Sequence, residues 1–301
     1  MRTRTPSPTF FSAERDFLVV AGVGLRPWKP LRTADGGRGT PPWLLGGKKW
    51  KPNVGAAVAR MATDAGWDCA VLGPDAGHAR AVASACGARA WAKFSPDARG
   101  LEAQARRAAA AARKLARGRR IHLAYYGGFG LSKVKLPGDT CFLGPYDIPP
   151  EAVGPLAGAH VAPLLALLRA FRADFAAQDA TKVVAVTALT SLRTKTEHAL
   201  DAACKQALHG ALRSIALDLT PQRVYVSEVM PGITDTGFYD TPATRRAIVR
   251  SALHLGYDYA AGIPALDPSH VAGAVRFALE SPFHLREVSF VPFGQYPHLG
   301  A

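Results

Sequence analysis

The chain has 301 residues, 48% hydrophobic and 20% charged, which is enough for one large α/β domain with a sizeable core. Its formal net charge of +14 is spread along the chain without a nucleic-acid-binding motif, which argues against nucleic acid as a partner. An uninterrupted apolar run of about 18 residues is missing, which argues against a membrane span.

The first 16 residues are rich in Arg, Ser, Thr and Pro and are expected to form an N-terminal tail, so we place a single domain at 17–301. The apolar run 17–21 predicts a strand, and Gly22 and Gly24 follow it directly. The next helix pattern begins only around Asn53 and Gly55. A long insertion therefore interrupts the chain between strand and helix.

This insertion, 25–52, is rich in Pro and Gly, holds three of the five tryptophans and carries seven basic residues against the single acid Asp35. Connections of this length are uncommon and tend to be functional or disordered. Three interpretations stay open. The insertion is a lid whose lysines, Lys51 among them, meet the phosphates of a dinucleotide; or an arm that docks a partner; or a segment whose tryptophans pack on the surface.

Apolar strand patterns then alternate with helix patterns. Strands are predicted at 68–73, 88–94, 121–124, 182–191 and 223–232, and helices at 76–87, 101–118, 151–175 and 198–219. Strand, helix, strand in this order implies parallel pairs joined by crossover helices, so we expect an α/β domain with a parallel sheet.

Four cysteines are scattered through these elements without a Cys-x-x-Cys pair: Cys69, Cys86, Cys141 and Cys204. That distribution argues against a zinc or other metal site and for a reducing compartment. We therefore expect a cytoplasmic protein.

The stretch 182–236 carries the most specific signals. Its helix is marked by apolar residues at three- and four-residue spacing, and Pro221 lies just past its end. The apolar positions are Leu200, Ala203, Ala207, Leu208, Ala211, Ile215 and Leu219. The strand that follows ends in Pro231-Gly232-x-x-x-Thr236.

A Lys205-x-Ala-Leu-His-Gly helix followed by Pro231-Gly232-x-x-x-Thr236 resembles the core of the short-chain dehydrogenase/reductase family. The resemblance covers nearly the whole chain apart from the tail and the insertion. It implies a doubly wound Rossmann-type fold, a bound NAD(P), and oxidoreduction of a small carbonyl, hydroxyl or enoyl substrate beneath a lid at 237–265.

The family also implies which residues bind the cofactor. Its glycine-rich turn corresponds to Gly22, Gly24, Asn53 and Gly55, with Asn53 in place of the middle glycine because Asn tolerates a left-handed backbone. Lys205, Pro231, Gly232 and Thr236 correspond to the remaining cofactor contacts. The second strand ends at Gly73 without the acid that NAD enzymes place there, and Lys51 could meet a 2′-phosphate. The sequence therefore favours NADP over NAD.

The catalytic residues depart from the family pattern. Asp201 stands at the tyrosine position and Ala188 at the serine position, with Thr187 beside it. His198, seven residues before Lys205, stands where the enoyl-reductase branch has its tyrosine, and the family's helix Asn corresponds to His160. The catalytic candidates are Lys205, His198, His160, Asp201 and Thr187. Asp201 and Lys205 also have the spacing of a helix ion pair, in which Asp201 is expected to be ionised.

The cofactor residues match the family pattern whereas the catalytic residues depart from it, and three hypotheses about function follow. The first is a divergent NAD(P)-dependent oxidoreductase with a non-standard proton donor. The second is a catalytically inactive scaffold or regulatory subunit, with or without cofactor. The third is a dehydratase or isomerase that reuses the fold. The family resemblance further implies a homodimer or larger homo-oligomer formed through the helices that contain residues 160 and 205.

Overall fold

The computed structural model describes residues 10–31, 39–96, 100–127 and 134–295. Its centre is a seven-stranded, wholly parallel sheet in the order β10-β9-β8-β7-β1-β5-β6. The strands are β1 Asp16–Ala21, β5 Cys69–Gly73, β6 Ala90–Lys93, β7 Arg120–Tyr126, β8 Thr181–Val186, β9 Val224–Pro231 and β10 Glu287–Phe290. The strand order reverses at β1, which makes the sheet doubly wound and confirms the predicted Rossmann-type fold.

Helices cover both faces of this sheet. They are α1 Val54–Asp64, α2 Ala76–Cys86, α3 Leu101–Ala116, α4 Pro150–Ala170, α5 Arg172–Ala177, α6 Ala199–Leu219, α7 Pro242–Leu253 and α8 Pro268–Glu280. Alternate residues of the fully buried β1 divide between the two faces. Leu18 and Val20 belong to the core under α1 and α8, whereas Phe17 and Val19 belong to the core under α3, α4 and α6.

The described part of the insertion is a small antiparallel sheet in the order β2-β4-β3. Its strands are β2 Leu25–Pro27, β3 Trp43–Leu45 and β4 Lys48–Pro52, while 32–38 lie outside the described residues. Trp43 and Trp50 pack against the core, and the Arg60 guanidinium lies 4.8 Å from the Trp43 ring centroid. The described part of the insertion is therefore packed onto the domain.

Residues 10–15 of the predicted tail also pack on the domain. The Phe11 and Trp67 rings lie 4.0 Å apart, and the Phe10 N–H donates a hydrogen bond to the carbonyl of Glu280. The first nine residues of that predicted tail lie outside the described residues.

By length and composition alone, α4 could cross a membrane, because an 18-residue window in it has a mean hydropathy of 1.4. The absence of an apolar run in the sequence had argued against any span. In this structure 39% of that window is buried, with Leu156, Leu164 and Leu167 fully enclosed. A core helix passes the same test of length and hydropathy, so the finding is weak evidence for a span.

Candidate cofactor and catalytic site

A cavity of about 310 Å³ opens at the carboxyl ends of four neighbouring strands of the parallel sheet. Gly22 follows β1, Tyr126 ends β7, Thr187 follows β8 and Pro231 ends β9, and all four line the cavity. Open parallel sheets bind ligands at this edge, beside the point where strand order reverses. The topology therefore places most of the predicted cofactor and catalytic residues around one space.

The turn after β1 requires glycine at two positions. Gly22 has φ +93°, and a Cβ there would lie 1.9 Å from the carbonyl oxygen of Tyr126. A Cβ on Gly55, at the start of α1, would lie 2.7 Å from the carbonyl oxygen of Gly22. The strand end and the helix start are thus in direct backbone contact, as in the unbroken glycine-rich turn.

Asn53 joins the two halves of this turn across the insertion. Its Nδ2 donates to the Gly22 carbonyl at 2.7 Å, and its Oδ1 accepts from the backbone N–H groups of Gly24 at 3.0 Å and Ala56 at 2.9 Å. Its φ of −84° is extended, so the expected left-handed backbone is wrong. Asn53 serves as the N-cap of α1 and places the amino end of that helix at the cavity, where anions are stabilised.

The structure does not place Lys51 at the cavity. Its ammonium is fully buried and forms ion pairs with Asp235 at 2.7 Å and Asp240 at 3.2 Å. The backbone N–H of Thr40 also donates to Asp235 at 2.7 Å. Lys51 therefore fastens the insertion to the segment after β9 and is not positioned as a phosphate ligand, because both carboxylates already hold its charge.

Arg26, which the sequence analysis did not select, lines the cavity from β2, just beyond Gly24. One guanidinium nitrogen donates to the Gly237 carbonyl at 3.2 Å. The cavity wall next to the glycine turn therefore carries a cation, but a different one from the lysine that was predicted.

Asp201 and Lys205 lie on the buried face of α6 and line the cavity together with Lys195. The Thr190 hydroxyl donates to Asp201 at 3.0 Å, and the Lys205 ammonium donates to the Gly127 carbonyl at 3.3 Å. Lys195 was missed because it lies in a loop, in no motif of known spacing.

Burial controls the protonation of this group. It raises the pKa of Asp201, although the charges of Lys205 and Lys195 act in the opposite direction. Burial likewise lowers the pKa of Lys205, and it lowers the pKa of Lys195 to about 8. The expectation of a freely ionised Asp201 is thus opposed by its environment.

His198 lines the cavity as predicted, at the start of α6. Its ring centroid lies 4.1 Å from that of Phe142, and its Nδ1 lies 2.7 Å from the carbonyl oxygen of Thr196. Phe142 also contacts Phe238 and Tyr239, which come from the predicted lid. One wall of the cavity is therefore aromatic, with His198 as its polar member.

The structure places the His160 side chain behind the cavity lining, and its catalytic role stays a prediction. The cavity is lined by its neighbours Ala159 and Pro163, while its own side chain is fully buried. Its Nδ1 lies 2.9 Å from the Leu156 carbonyl, and its backbone carbonyl accepts from the Tyr125 hydroxyl at 2.7 Å. Burial lowers its pKa to about 3, so the imidazole is a neutral core residue.

The remaining predicted residues lie at the cavity. Gly24, Pro231, Gly232 and Thr236 line it, and Thr236 shares a hydrogen bond with Tyr126. Thr187 lines it too, but its hydroxyl donates to Glu228 on β9. Because the Thr187 proton is directed away from the cavity, Thr187 presents an acceptor to a ligand in this arrangement.

Comparison with known families agrees with this geometry. The family model described as short chain dehydrogenase matches residues 153–246, a region that contains Lys205 and Pro231-Gly232-x-x-x-Thr236. Over this region the match agrees with the resemblance drawn from the sequence. No protein among the curated ones matches the sequence.

Solved structures share the fold over almost the whole chain. A short chain oxidoreductase from Pseudomonas aeruginosa PAO1, described as containing an atypical catalytic center, is 18% identical with a TM-score of 0.66, covering 95% of this chain and 99% of that one. An alcohol dehydrogenase from the archaeon Thermococcus sibiricus, complexed with 5-hydroxy-NADP, is 15% identical with a TM-score of 0.64, covering 94% and 99%.

A third structure, 3-ketoacyl-(acyl-carrier-protein) reductase from Brucella melitensis complexed with NADH, is 17% identical with a TM-score of 0.64, covering 92% and 96%. At these identities the likeness shows the fold. The chemistry has to be argued from this chain's own cavity.

Proposed function

We propose that this protein is an NAD(P)-dependent oxidoreductase that acts on a small carbonyl, hydroxyl or enoyl substrate without the family's tyrosine. The observation that carries the proposal is the single cavity that joins the glycine turn, the amino end of α1, Lys205 and Thr236. Packing alone does not require a glycine turn with backbone contact, a buried lysine and a Pro-Gly motif to face one space. A bound dinucleotide does require them to face one space, since its pyrophosphate would lie at the glycine turn and its nicotinamide ribose at Lys205.

Within the proposal, the residues divide into two roles. Gly22, Gly24, Asn53 and Gly55 shape the turn that accepts the pyrophosphate. Lys205, held by the Gly127 carbonyl, would contact the nicotinamide ribose, as the family resemblance implies. The cofactor supplies the hydride, and the protein orients it above the substrate.

NADP is the cofactor that we propose. Asp75, the first acid after β5, is occupied as the N-cap of α2, where it accepts from the His78 backbone N–H at 2.7 Å. Among the described lining residues, the cavity therefore lacks at the end of β5 the ribose-binding carboxylate of NAD enzymes.

The proton donor is the unusual part of the proposal. Asp201 occupies the tyrosine position as a buried carboxyl whose pKa is raised, and His198 lies one turn before it in the same cavity. Unusual centres are compatible with a bound cofactor in this fold, since the Pseudomonas aeruginosa oxidoreductase with an atypical catalytic center is also described in an NADPH-bound form. That structure is 17% identical, covers 92% of this chain and 96% of its own, and has a TM-score of 0.63.

A second candidate function is a catalytically inactive, cofactor-binding scaffold. It is favoured by the position of Asp201, which accepts from Thr190 and lies between two lysine charges. Such a carboxyl could be a structural substitute for the tyrosine rather than a replacement acid. Because both candidates bind the dinucleotide, cofactor binding does not distinguish them. Substrate turnover does, since only the oxidoreductase converts a substrate.

We also propose a cytoplasmic homo-oligomer. Packed against each other, α4 and α6 keep large exposed side chains, Leu165 at 47% and Leu217 at 68% exposure. Light scattering after size exclusion is expected to give at least twice the 31.9 kDa chain mass. A monomeric mass at micromolar concentration would contradict this proposal.

The cofactor proposal is tested by calorimetric titration with NADPH and NADH. We expect NADPH to bind more tightly than NADH, and Lys205→Ala to weaken NADPH at least about tenfold, which is about 1.4 kcal/mol. Lys114→Ala, on α3 and remote from the cavity lining, serves as the matched control. Binding of neither cofactor at millimolar concentration would contradict the proposal.

A further inference from the structure

Reduction of a carbonyl consumes one proton per turnover, and this proton has to reach a cavity that lacks the family's tyrosine. Asp201 is buried, and its hydrogen bond comes from Thr190, which is buried as well. Another polar group at the cavity has a connection that leads outward. This group is Thr187, whose hydroxyl contacts a carboxylate behind the cavity wall.

Thr187, Glu228 and His209 form an unbroken chain of hydrogen bonds. The Thr187 Oγ1 donates to Oε1 of Glu228 at 2.5 Å, and Oε2 of the same carboxylate lies 2.7 Å from Nδ1 of His209. A cavity hydroxyl, a carboxylate with both oxygens engaged and an imidazole are thus joined by two short contacts. Each group can both take up and release a proton.

The far end of this chain is His209, which keeps 11% of its side chain exposed. Thr187 is 3% exposed, Glu228 3% and His209 8%. Beyond them Glu287 on β10, directly paired with Glu228 in the sheet, has 35% of its side chain exposed. The donor atoms of His209, Glu228 and Glu287 all lie within 4.8 Å of one another. The chain therefore crosses from the cavity to the solvent side of the sheet edge.

The charged groups around the chain come from two packed elements. From α6, Lys205 acts on Glu228, and Arg213 lies 3.8 Å from Glu287. Arg286 and Glu287 line the surface crevice into which Glu228 also faces. Cations at both ends compensate the buried carboxylate, so that it can carry a negative charge between transfers.

We propose that Thr187, Glu228 and His209 are the path by which the proton enters the cavity, an inference that rests on the proposed reduction. Hydride transfer to the carbonyl carbon leaves an electron pair on the carbonyl oxygen, which takes the Thr187 hydroxyl proton. Thr187 Oγ1 takes a proton from Glu228, Glu228 takes one from Nδ1 of His209, and His209 regains one from solvent. The sum is one hydride and one proton added to the substrate.

The path assigns distinct roles to its members. Thr187 is the residue that touches substrate, whereas Glu228 and His209 act through it. A carboxylate explains why the resting hydroxyl is turned away from the cavity. Once Glu228 is protonated, it becomes the donor to Thr187 Oγ1, and the Thr187 proton is released toward the ligand.

The test is NADPH oxidation by the full chain with 9,10-phenanthrenequinone and benzaldehyde as carbonyl probes, followed in H₂O and D₂O between pH 5 and pH 9. General acid catalysis contributes about 10²–10⁴-fold. We therefore expect Glu228→Gln and Thr187→Val each to lower kcat at least about tenfold and to change the solvent isotope effect. We expect Thr187→Ser to recover part of what Thr187→Val loses, and His209→Gln to lower kcat with little change in NADPH affinity.

Two controls separate a proton path from a structural role. His284→Gln removes a half-buried histidine that contacts the Val226 carbonyl outside the path, and it should leave kcat unchanged. NADPH affinity and the melting temperature should stay near wild type in Glu228→Gln. The proton path would be overturned if Glu228→Gln left kcat and the isotope effect unchanged, or if its loss of kcat were matched by a loss of NADPH affinity. Either result would leave the proposed reduction standing. Wild type that binds NADPH but reduces neither probe would overturn the proposed reduction and the path with it.

Discussion

The two ends of the cavity differ in how they depart from the family. At the phosphate end the chain carries a 28-residue insertion, 25–52, in the glycine turn, yet Asn53 rejoins the strand and the helix through three side-chain hydrogen bonds. At the proton end the fold is intact, yet Asp201 stands where the family resemblance implies a tyrosine. A turn needs only backbone geometry, which many side chains can restore. A proton donor needs one functional group with a matched pKa, so a substitution there changes the chemistry.

The insertion also contacts a second region of the cavity, away from the glycine turn. Through Lys51, Thr40 and Arg26 it contacts the segment 235–240 that follows β9. Phe238 and Tyr239 of that segment line the cavity. One inserted sheet therefore supports both the phosphate end of the cavity and a wall of the substrate end.

The largest expected effect is a loss of stability when the contact between the insertion and the segment 235–240 is removed. Lys51→Met leaves Asp235 and Asp240 without their buried cation, and losing one partner of a buried ion pair costs about 3–5 kcal/mol. We expect urea unfolding of Lys51→Met to show a loss of that size. The exposed Lys48→Met on the same strand is the matched control. Equal stability of the two variants would show that the buried pair does not hold the insertion in place.

A smaller effect is expected at the glycine contact. Gly55→Ala places a methyl group 2.7 Å from the Gly22 carbonyl oxygen, and overpacking of this kind costs about 1–3 kcal/mol. We expect Gly55→Ala also to weaken NADPH binding measured by calorimetry, because the turn must open to admit the methyl group.

Gly158→Ala is the matched control for Gly55→Ala. Gly158 is also a helix residue, on α4, but a Cβ there meets nothing within 4 Å. Weakened NADPH binding in both variants would contradict the link between the turn contact and the cofactor.

The sequence was sufficient for the fold, because strand–helix alternation and the 182–236 stretch depend on local periodicity. It also predicted that Gly22, Asn53, Lys205 and Thr236 lie together, and all four line one cavity, since parallel strands end at the same edge. It failed where a side chain's position depends on distant packing. Lys51 faces two carboxylates almost two hundred residues away, a contact that no local pattern encodes.

The position of His160 relative to the cavity was not predictable for a related reason. Its register on the helix matches the family's asparagine, but register does not say which way the helix is turned. Here the cavity lies against Ala159 and Pro163 instead. The pair Glu228 and His209 was missed because the two residues belong to different elements and share no motif.

The burial of His160 is expected to make the free energy of unfolding depend on pH. This is the smallest of the expected effects at neutral pH. Its pKa in the folded state is lowered to about 3, whereas the unfolded chain titrates near its ordinary value of about 6.5. Below pH 6.5 the unfolded state binds a proton that the folded state excludes. The free energy of unfolding therefore decreases as the pH is lowered, by up to about 1.4 kcal/mol per pH unit.

Urea midpoints between pH 7 and pH 5 check this contribution. We expect His160→Gln to flatten the slope, while the share of the buried His122, whose pKa is also lowered by burial, remains. The exposed His254→Gln is the control. An unchanged slope in His160→Gln would argue that His160 is not a neutral core residue, and its catalytic role would need to be reconsidered.

Hydride transfer in this cavity, despite the altered proton end, is open to direct measurement. The direct measurement is incubation with NADPH deuterated at nicotinamide C4 and a panel of carbonyl and enoyl compounds, followed by mass spectrometry of the products. The account predicts a product one mass unit heavier than that formed with unlabelled NADPH, with less of it from Lys205→Ala. Bound NADPH without label in any product would contradict the claim and leave the inactive scaffold as the better description.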